Sequence, residues 1–474
     1  MAGLRSPAQP VRALALTAAL LLAGCASFSP DGGFASVEQS AKERLNKDVA
    51  WARSPEQQQR IDARVAELLQ QPLSADDAVQ LALLNNKGLQ ATYFELGIGE
   101  AELVQSGRLP NPGFSFARLT RGSEVELERS FHVNLARLIA LPALQRAEAQ
   151  RFAHTQSAVA SSVLSLAADT RKAWVLAVAA AESARYSDQV MQAAAASAEL
   201  ARRMEQVGNF SKLQRAREQA FYADAALGLA RAQQQQRATR ERLTRLLGLW
   251  GDAAATFRLP ERLPDLPQAP NELPDIEQRA IAQRLDVQAA RIASEQTARA
   301  LHLTQTTRFI NVLDLGMQRN SSNEAPTQRG WEVTLELPLF DWGTARTARA
   351  ESVYMQSLQR AADVAINARS EVREAYGHYR SAWDIARHHR DEIVPLRKRI
   401  SEENVLRYNG MLIGVFELLA EARTQIAGVN GAIDALRDFW IAQADLETAL
   451  LGKPSLAASA GPSMAARGSG AAGH

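Results

Sequence analysis

From Ala143 to Val207 the sequence contains neither glycine nor proline, and it is rich in Ala, Leu, Gln, Arg and Glu, all strong helix formers. As a helix rising 1.5 Å per residue, such a segment is roughly 100 Å long. Globular helices usually stop after three or four turns, and helical stability in proteins comes mostly from packing. A helix this long therefore needs partners along its whole length. Thr344 to Asn409 has the same character and is interrupted only by Gly377 and by Pro395, where a bend is expected. Ala-rich runs at 177–181 and 193–196 allow the close helix approach that packed coiled coils require.

Two regions break the helical period. In Glu124 to Leu135 the odd positions are apolar except Arg129 and every even position is polar, so the segment reads as a strand with one oily and one wet face. Phe114 and Phe116, following Pro110 and Pro112, mark its hairpin partner, and Arg121-Gly122-Ser123 marks the turn. The plan recurs from Phe309 to Asn320, through a polar loop from Ser321 to Gln328. There Trp331, Val333, Leu335 and Leu337 alternate with Glu332, Thr334 and Glu336 until Pro338 closes the strand.

The two halves are related in detail. Gly208, Phe210, Leu213, Ala216, Arg217 and Gln219 recur as Gly414, Phe416, Leu419, Ala422, Arg423 and Gln425, and Ala82, Gln90 and Ala91 recur as Ala280, Gln288 and Ala289. This is the pattern of an internal tandem duplication, with a repeat longer than those of solenoids. The predicted organisation is a signal peptide at 1–24, an anchor and linker segment at 25–72 that opens with a Ser/Pro/Gly-rich loop from Ser27 to Ser36, and a first repeat at 73–256 with its hairpin at 112–136 and long helices at 141–249. A Pro-rich linker at 257–273, a second repeat at 274–452 with its hairpin at 309–338 and long helices at 342–451, and a disordered Ala/Gly/Ser-rich tail at 453–474 complete it.

Arg5 and Arg12, the apolar run from Ala13 to Leu22 and the small residues Ala23 and Gly24 make a secretory signal rather than a spanning helix. Leu22-Ala23-Gly24-Cys25 also resembles the bacterial lipoprotein signal, which implies a covalent lipid on Cys25, the only cysteine in the chain. Ala26 stands where lipoproteins retained at the inner membrane typically carry Asp, so the same resemblance points to the outer membrane. The full chain has 54 Lys plus Arg against 52 Asp plus Glu, and cleavage before Cys25 leaves 52 against 52, a balance that excludes a typical nucleic-acid binder. A single cysteine closes no internal disulfide. There is no G-x-S-x-G, HExxH, P-loop or CxxC pattern, so no enzyme and no cofactor is expected. Of His378, His388 and His389, the adjacent pair points in different directions on a helix and no histidine pair falls at i,i+4, so no metal site is expected either.

Alternation alone suits a soluble hairpin as well as a membrane one. The strands, though, have the length of tilted transmembrane strands, their apolar positions include Phe and Trp, and the chain is exported. Four strands cannot close a barrel, so several copies must share one.

The chain resembles the TolC-type outer-membrane efflux proteins, in their lipoprotein branch, from about Leu73 to Gly452. The resemblance rests on Leu73-Ser74-Ala75-Asp76-Asp77-Ala78-Val79-Gln80-Leu81-Ala82 with Asn85-Asn86, on Arg108-Leu109-Pro110-Asn111-Pro112, on Leu337-Pro338-Leu339-Phe340-Asp341 with Gly343, and on Tyr408 to Arg423. It implies a mainly α fold with a small β part: a long antiparallel α-helical coiled-coil barrel continuing into a transmembrane β-barrel shared by a homotrimer. The implied function is passive export of drugs, toxic compounds or metal ions, received from an inner-membrane pump of the resistance-nodulation-division type through a periplasmic adaptor.

By the same resemblance Tyr408 and Glu417 are gate candidates, with Glu421 as a substitute for an acid that is Ala420 here. An arginine found between these positions in some members is Ile413. Gly208 and Gly414, expected at positive φ in the helix-terminal turns, would mark the adaptor-docking tips with Asn209, Phe210, Val415 and Phe416. If the even strand positions face the lumen, Glu124, Glu126, Glu128, Glu332 and Glu336 line it with acid and favour cations. Two other readings stand beside this one: an outer-membrane channel for protein secretion, and a coiled-coil periplasmic spacer tethered by lipid.

Overall fold

The computed structural model describes residues 27–307, 312–336 and 339–453. The signal peptide, Cys25, Phe309, Leu337, Pro338 and the tail from 454 onward lie outside the described residues. The predicted class, mainly α with a small β part, is the class observed.

The described residues form two compact units: those up to Ile61 with Lys87–Val163 and with the described part of Leu285–Asn367, and Asp62–Asn86 with Leu164–Arg284 and the described residues from Ala368 onward. Each draws on both halves of the sequence. The first contains α1 (Ala35–Leu45), the first half of α2 (Pro55–Leu68), all of α4 (Lys87–Ser106), the strands, α9 (Leu285–Thr307), the start of α5 (Leu135–Gln206) and the start of α10 (Thr344–His388). The second contains the second half of α2, then α3 (Ala75–Asn85), α6 (Lys212–Leu247), α7 (Gly251–Thr256), α8 (Ile276–Gln283), α11 (Val394–Asn409), α12 (Val415–Leu451) and the remainders of α5 and α10.

In the first unit, β1 (Gly113–Arg121), β2 (Glu124–Asn134), β3 (Leu313–Ser322) and β4 (Gln328–Leu335) form one antiparallel sheet in that order. The two predicted hairpins are thus joined by a β2–β3 pairing that neither hairpin's sequence announces. Their tips are tied as well: Asn323 Oδ1 accepts from Val125 N at 2.7 Å and Asn323 Nδ2 donates to Ser123 O at 2.9 Å. Gly122, at φ +59°, supplies the left-handed residue that a two-residue turn requires. The N-terminal segment packs against α4, where Phe34 meets Tyr93 edge-on at 5.0 Å, and α1 begins at Ala35, inside the run expected to be a loop.

The helix α5 begins earlier than its sequence composition indicates, at Leu135, and Pro142 lies inside it. Asn134 makes this start workable by accepting the Arg137 N–H on its side chain at 2.6 Å. Ala177, Ala179, Ala180 and Ala194 are buried, as close helix packing requires. Pro395 interrupts the other long segment by a different route from a simple bend. A π-helical turn, His389–Ile393, precedes it, and Pro395 is the second residue of α11, which continues directly from that turn.

The Pro-rich segment after α7 is irregular but is not a free linker. Leu263 and Leu266 are buried, and its proline-flanked carbonyls accept indole N–H groups, Trp440 on Pro264 O at 3.0 Å and Trp383 on Pro267 O at 3.1 Å. In the same unit α3 and α8 end in one way: Asn86 N donates to Ala82 O and Arg284 N to Ala280 O, both at 2.9 Å. Side chains beside these breaks then cap a long helix. Asn85 Nδ2 donates to Leu247 O and Gly248 O at the end of α6, and Arg284 donates to Ala449 O near the end of α12.

Candidate functional site

Register decides what the sheet presents. Residues paired across antiparallel strands share a face, so Phe114, Phe131, Met317 and Trp331 form one continuous row. Val133, Leu315 and Val333 form the next row toward the helices, followed by Leu313 and Leu335. Phe340 follows β4, almost fully exposed at 99%. On the opposite face, Glu124, Glu126 and Glu128 of β2 share a side with Ser322 and Asn320 of β3 and with Glu332 of β4. Glu332 contacts the Gln318 amide and Ser322 Oγ donates to Glu124 at 3.3 Å. Asp314 adds a carboxylate to this face, opposite Thr334. Glu336 lies just past β4, where its N–H donates to Val312 O at 3.2 Å. Four of the five predicted strand carboxylates therefore lie on a single polar surface, back to back with an apolar one.

The helix turns differ from expectation at one glycine. Gly208 has φ +80° and closes α5, with Asn209 N and Phe210 N both donating to Met204 O. Gly414 instead has φ −82° and ψ 161°, an extended N-cap that opens α12. The left-handed residue of this second turn is Met411, at φ 56°, and Leu412 N reaches back to Arg407 O at 2.8 Å. The turns are built three residues out of step with the sequence repeat, because Ser211 caps α6 with a capping box while Gly414 caps α12. Asn209 is exposed, whereas Phe210 is buried and holds its turn from inside. The side chains of Val415 and Phe416 lie outside the described set. The apolar groups shown to solvent at these turns are Val207, Leu213, Met411 and Leu412, none of which is among the docking residues expected from the sequence.

Of the gate candidates, Tyr408 is 40% exposed near the end of α11, and Glu417 is exposed in the first turn of α12. Glu421 is set apart from them, half-buried, with Arg397 at 3.7 Å. Counted from the helix caps, Glu421 after Gly414 corresponds to Glu218 after Ser211, and Glu218 is the more buried of the two at 2% exposure. It accepts from Ser197 Oγ at 2.8 Å and Arg423 at 3.0 Å, while the Arg423 guanidinium lies over the Phe221 ring at 4.3 Å. Arg423 belonged to the motif. Glu218 escaped notice because the sequence interval matches it to Thr424. Glu218→Gln is expected to lower unfolding free energy by about 1.5–3 kcal/mol, the range for a hydrogen bond to a charged group, as read from denaturant melts.

Near the first turn, Glu199 is held down to about 2 by side-chain bonds from Arg202 and then Arg203. Its stabilising contribution is fully present above the ordinary value of 4.5 and is lost as pH falls through about 2. His389, in the π-helical turn, has a lowered pKa through burial and the neighbouring His388, and so favours its neutral form.

No protein-family model matches the sequence, and no curated protein does. Solved structures do match. The CmeC outer membrane channel of Campylobacter jejuni superposes with TM-score 0.68 at 15% identity, covering 85% of this chain and 89% of that one. The MtrE outer membrane channel of Neisseria gonorrhoeae, solved in its open state, gives 0.66 at 18% identity, covering 82% and 89%. CusC, described in terms of folding and transmembrane channel formation, gives 0.65 at 17% identity, covering 80% and 92%. The chain thus has the fold of outer-membrane channels, the fold that the TolC-type resemblance implies. Among the described residues no helix is long and apolar enough to cross a membrane.

Proposed function

We propose that this chain is the outer-membrane exit channel of a tripartite efflux system, passively conducting small solutes that an inner-membrane pump, of the resistance-nodulation-division type, delivers through a periplasmic adaptor. The observation that carries this is the four-stranded sheet with one apolar and one carboxylate-bearing face, set on a fold shared with solved outer-membrane channels. A sheet open at β1 and β4 leaves edge hydrogen bonds that lipid cannot satisfy. Closure with other copies removes both edges, and three copies of a 4-stranded sheet complete a twelve-stranded barrel. The polar face then lines the water path, where Glu124, Glu126, Glu128, Asp314 and Glu332 favour cations.

The lipid on Cys25 anchors the exported chain to the outer membrane and places the helices in the periplasm. The turns carrying Gly208 and Gly414 meet the adaptor, with Val207, Leu213, Met411 and Leu412 as contact groups. Tyr408 and Glu417 constrict the pore, whereas Glu421 braces α12 against Arg397. The matching helix breaks at Asn86 and Arg284, whose N–H groups reach back to Ala82 O and Ala280 O, support descent of the two halves from one duplicated unit.

Deleting the gene is expected to raise cellular retention of a fluorescent efflux dye, and supplying the wild-type chain to restore export. Unchanged retention and full viability under toxic solutes would contradict the efflux role. For the gate, Glu417→Ala is expected to enlarge single-channel conductance steps and to weaken cation preference, since a ring of carboxylates at a constriction attracts cations. Identical steps would remove Glu417 from the constriction.

A further inference from the structure

The strand register also gathers arginines that are far apart in sequence. Arg129 pairs with Arg319 and Arg319 with Arg329, giving a row of three guanidiniums across β2, β3 and β4, with Phe116 beside Arg129 on β1. Arg118 stands one pleat repeat nearer the hairpin tips, opposite Leu127. All four are on the apolar face, and the row of Phe114, Phe131, Met317 and Trp331 runs beside it, about 6.7 Å toward the helices. That face of the four strands carries no acidic residue, since every strand carboxylate falls on the other side. Arg319 and Arg329 are exposed, and the Arg129 guanidinium lies 6.0 Å from the Phe116 ring.

Like charges directly opposite one another destabilise a sheet. The row therefore requires an anion that this face does not itself supply. Its position restricts the choice. Apolar and aromatic rows flank it on the helix side and polar hairpin tips on the other, the order found where transmembrane strands cross from hydrocarbon into headgroups. Guanidinium groups pair with phosphate through two parallel hydrogen bonds, with a geometry that lysine lacks.

We propose that Arg129, Arg319 and Arg329, with Arg118 above them, bind the phosphate groups of anionic lipid in the leaflet around the hairpin tips. The inference rests on the membrane-barrel reading above. Each copy contributes the same row, so the barrel carries a belt of phosphate contacts that fixes its depth.

The test uses the full chain reconstituted in phosphatidylcholine bilayers containing a trace of spin-labelled phosphatidylglycerol or spin-labelled phosphatidylcholine. Electron spin resonance then reads the fraction of each label immobilised against protein. At low salt the anionic label is expected to be enriched about fivefold over the neutral one. Raising salt to about 0.5 M should reduce that enrichment, as screening requires. The triple variant Arg129→Gln/Arg319→Gln/Arg329→Gln should show equal fractions, and Glu126→Gln/Glu128→Gln, on the opposite face, should leave the enrichment unchanged. Equal fractions for the wild type, or enrichment kept by the triple glutamine variant, would overturn the proposal while leaving the barrel standing. If neither label is immobilised by the wild type, the barrel reading fails and this inference falls with it. Should the glutamine variant not insert, the wild-type headgroup ratio and its salt dependence decide the question alone.

Discussion

The double variant Val133→Arg/Val333→Arg is expected to be lost from the outer membrane and to accumulate outside it. These valines flank Leu315 in one cross-strand row of the apolar face, between the aromatic row and the helices. An arginine on the lipid side of a transmembrane strand costs roughly 2–4 kcal/mol near the bilayer midplane, and each copy of the barrel would carry two. The control is Asn320→Arg/Thr334→Arg on the opposite face of the same strands. There each new guanidinium sits across from a carboxylate, Glu128 for Asn320 and Asp314 for Thr334, and faces water. Membrane fractions should contain this control at wild-type levels. Equal membrane levels for both variants would mean that neither face of the sheet meets lipid.

Replacing Arg284 by alanine is expected to destabilise the folded chain by about 3–5 kcal/mol, the cost of removing one partner from a buried ion pair. Only 1% of Arg284 is exposed, and its guanidinium bonds Glu371 at 2.7 Å and the Ala449 carbonyl at 3.2 Å. Alanine would leave the Glu371 carboxylate without this partner and a helix-terminal carbonyl without its donor, besides opening a cavity. The paired replacement Arg284→Met/Glu371→Leu should recover most of the loss, because it removes the stranded charge together with its partner. Denaturant titration of the detergent-solubilised protein, followed by helical circular dichroism, distinguishes these outcomes. A single variant as stable as wild type would show that this cap does not hold α12.

Local periodicity carried the secondary structure far. The absence of Gly and Pro after Ala143 announced α5, and strict alternation from Glu124 announced β2 with its two faces. What the sequence left hidden depends on relations between distant segments. Pairing of β2 with β3 is set by hydrogen bonds between strands from different halves, and only that register aligns Arg129, Arg319 and Arg329. The positive φ expected at Gly414 is at Met411 instead, because a glycine in a turn suits an N-cap as well as a left-handed position, and composition cannot distinguish the two. Likewise the prolines after Phe257 suggested a Pro-rich linker without showing what binds it. Their carbonyls, freed from any ladder, are bound by Trp383 and Trp440, whose indoles arrive from α10 and α12. Glu218 was obscured by a repeat alignment that follows identities, whereas the helices are aligned by their caps. Tyr408 and Glu417 entered through resemblance alone, since a gate is a property of several copies around an axis and leaves no local pattern in one chain.

Planar-bilayer recording from the purified, detergent-extracted chain tests the central claim most directly. Discrete conductance steps are predicted, with a reversal potential under a salt gradient that favours cations and moves toward zero in Glu126→Gln/Glu128→Gln. A silent bilayer, with a chain that stays in solution without detergent once Cys25 is replaced by serine, would contradict the channel and leave a lipid-tethered helical spacer in its place.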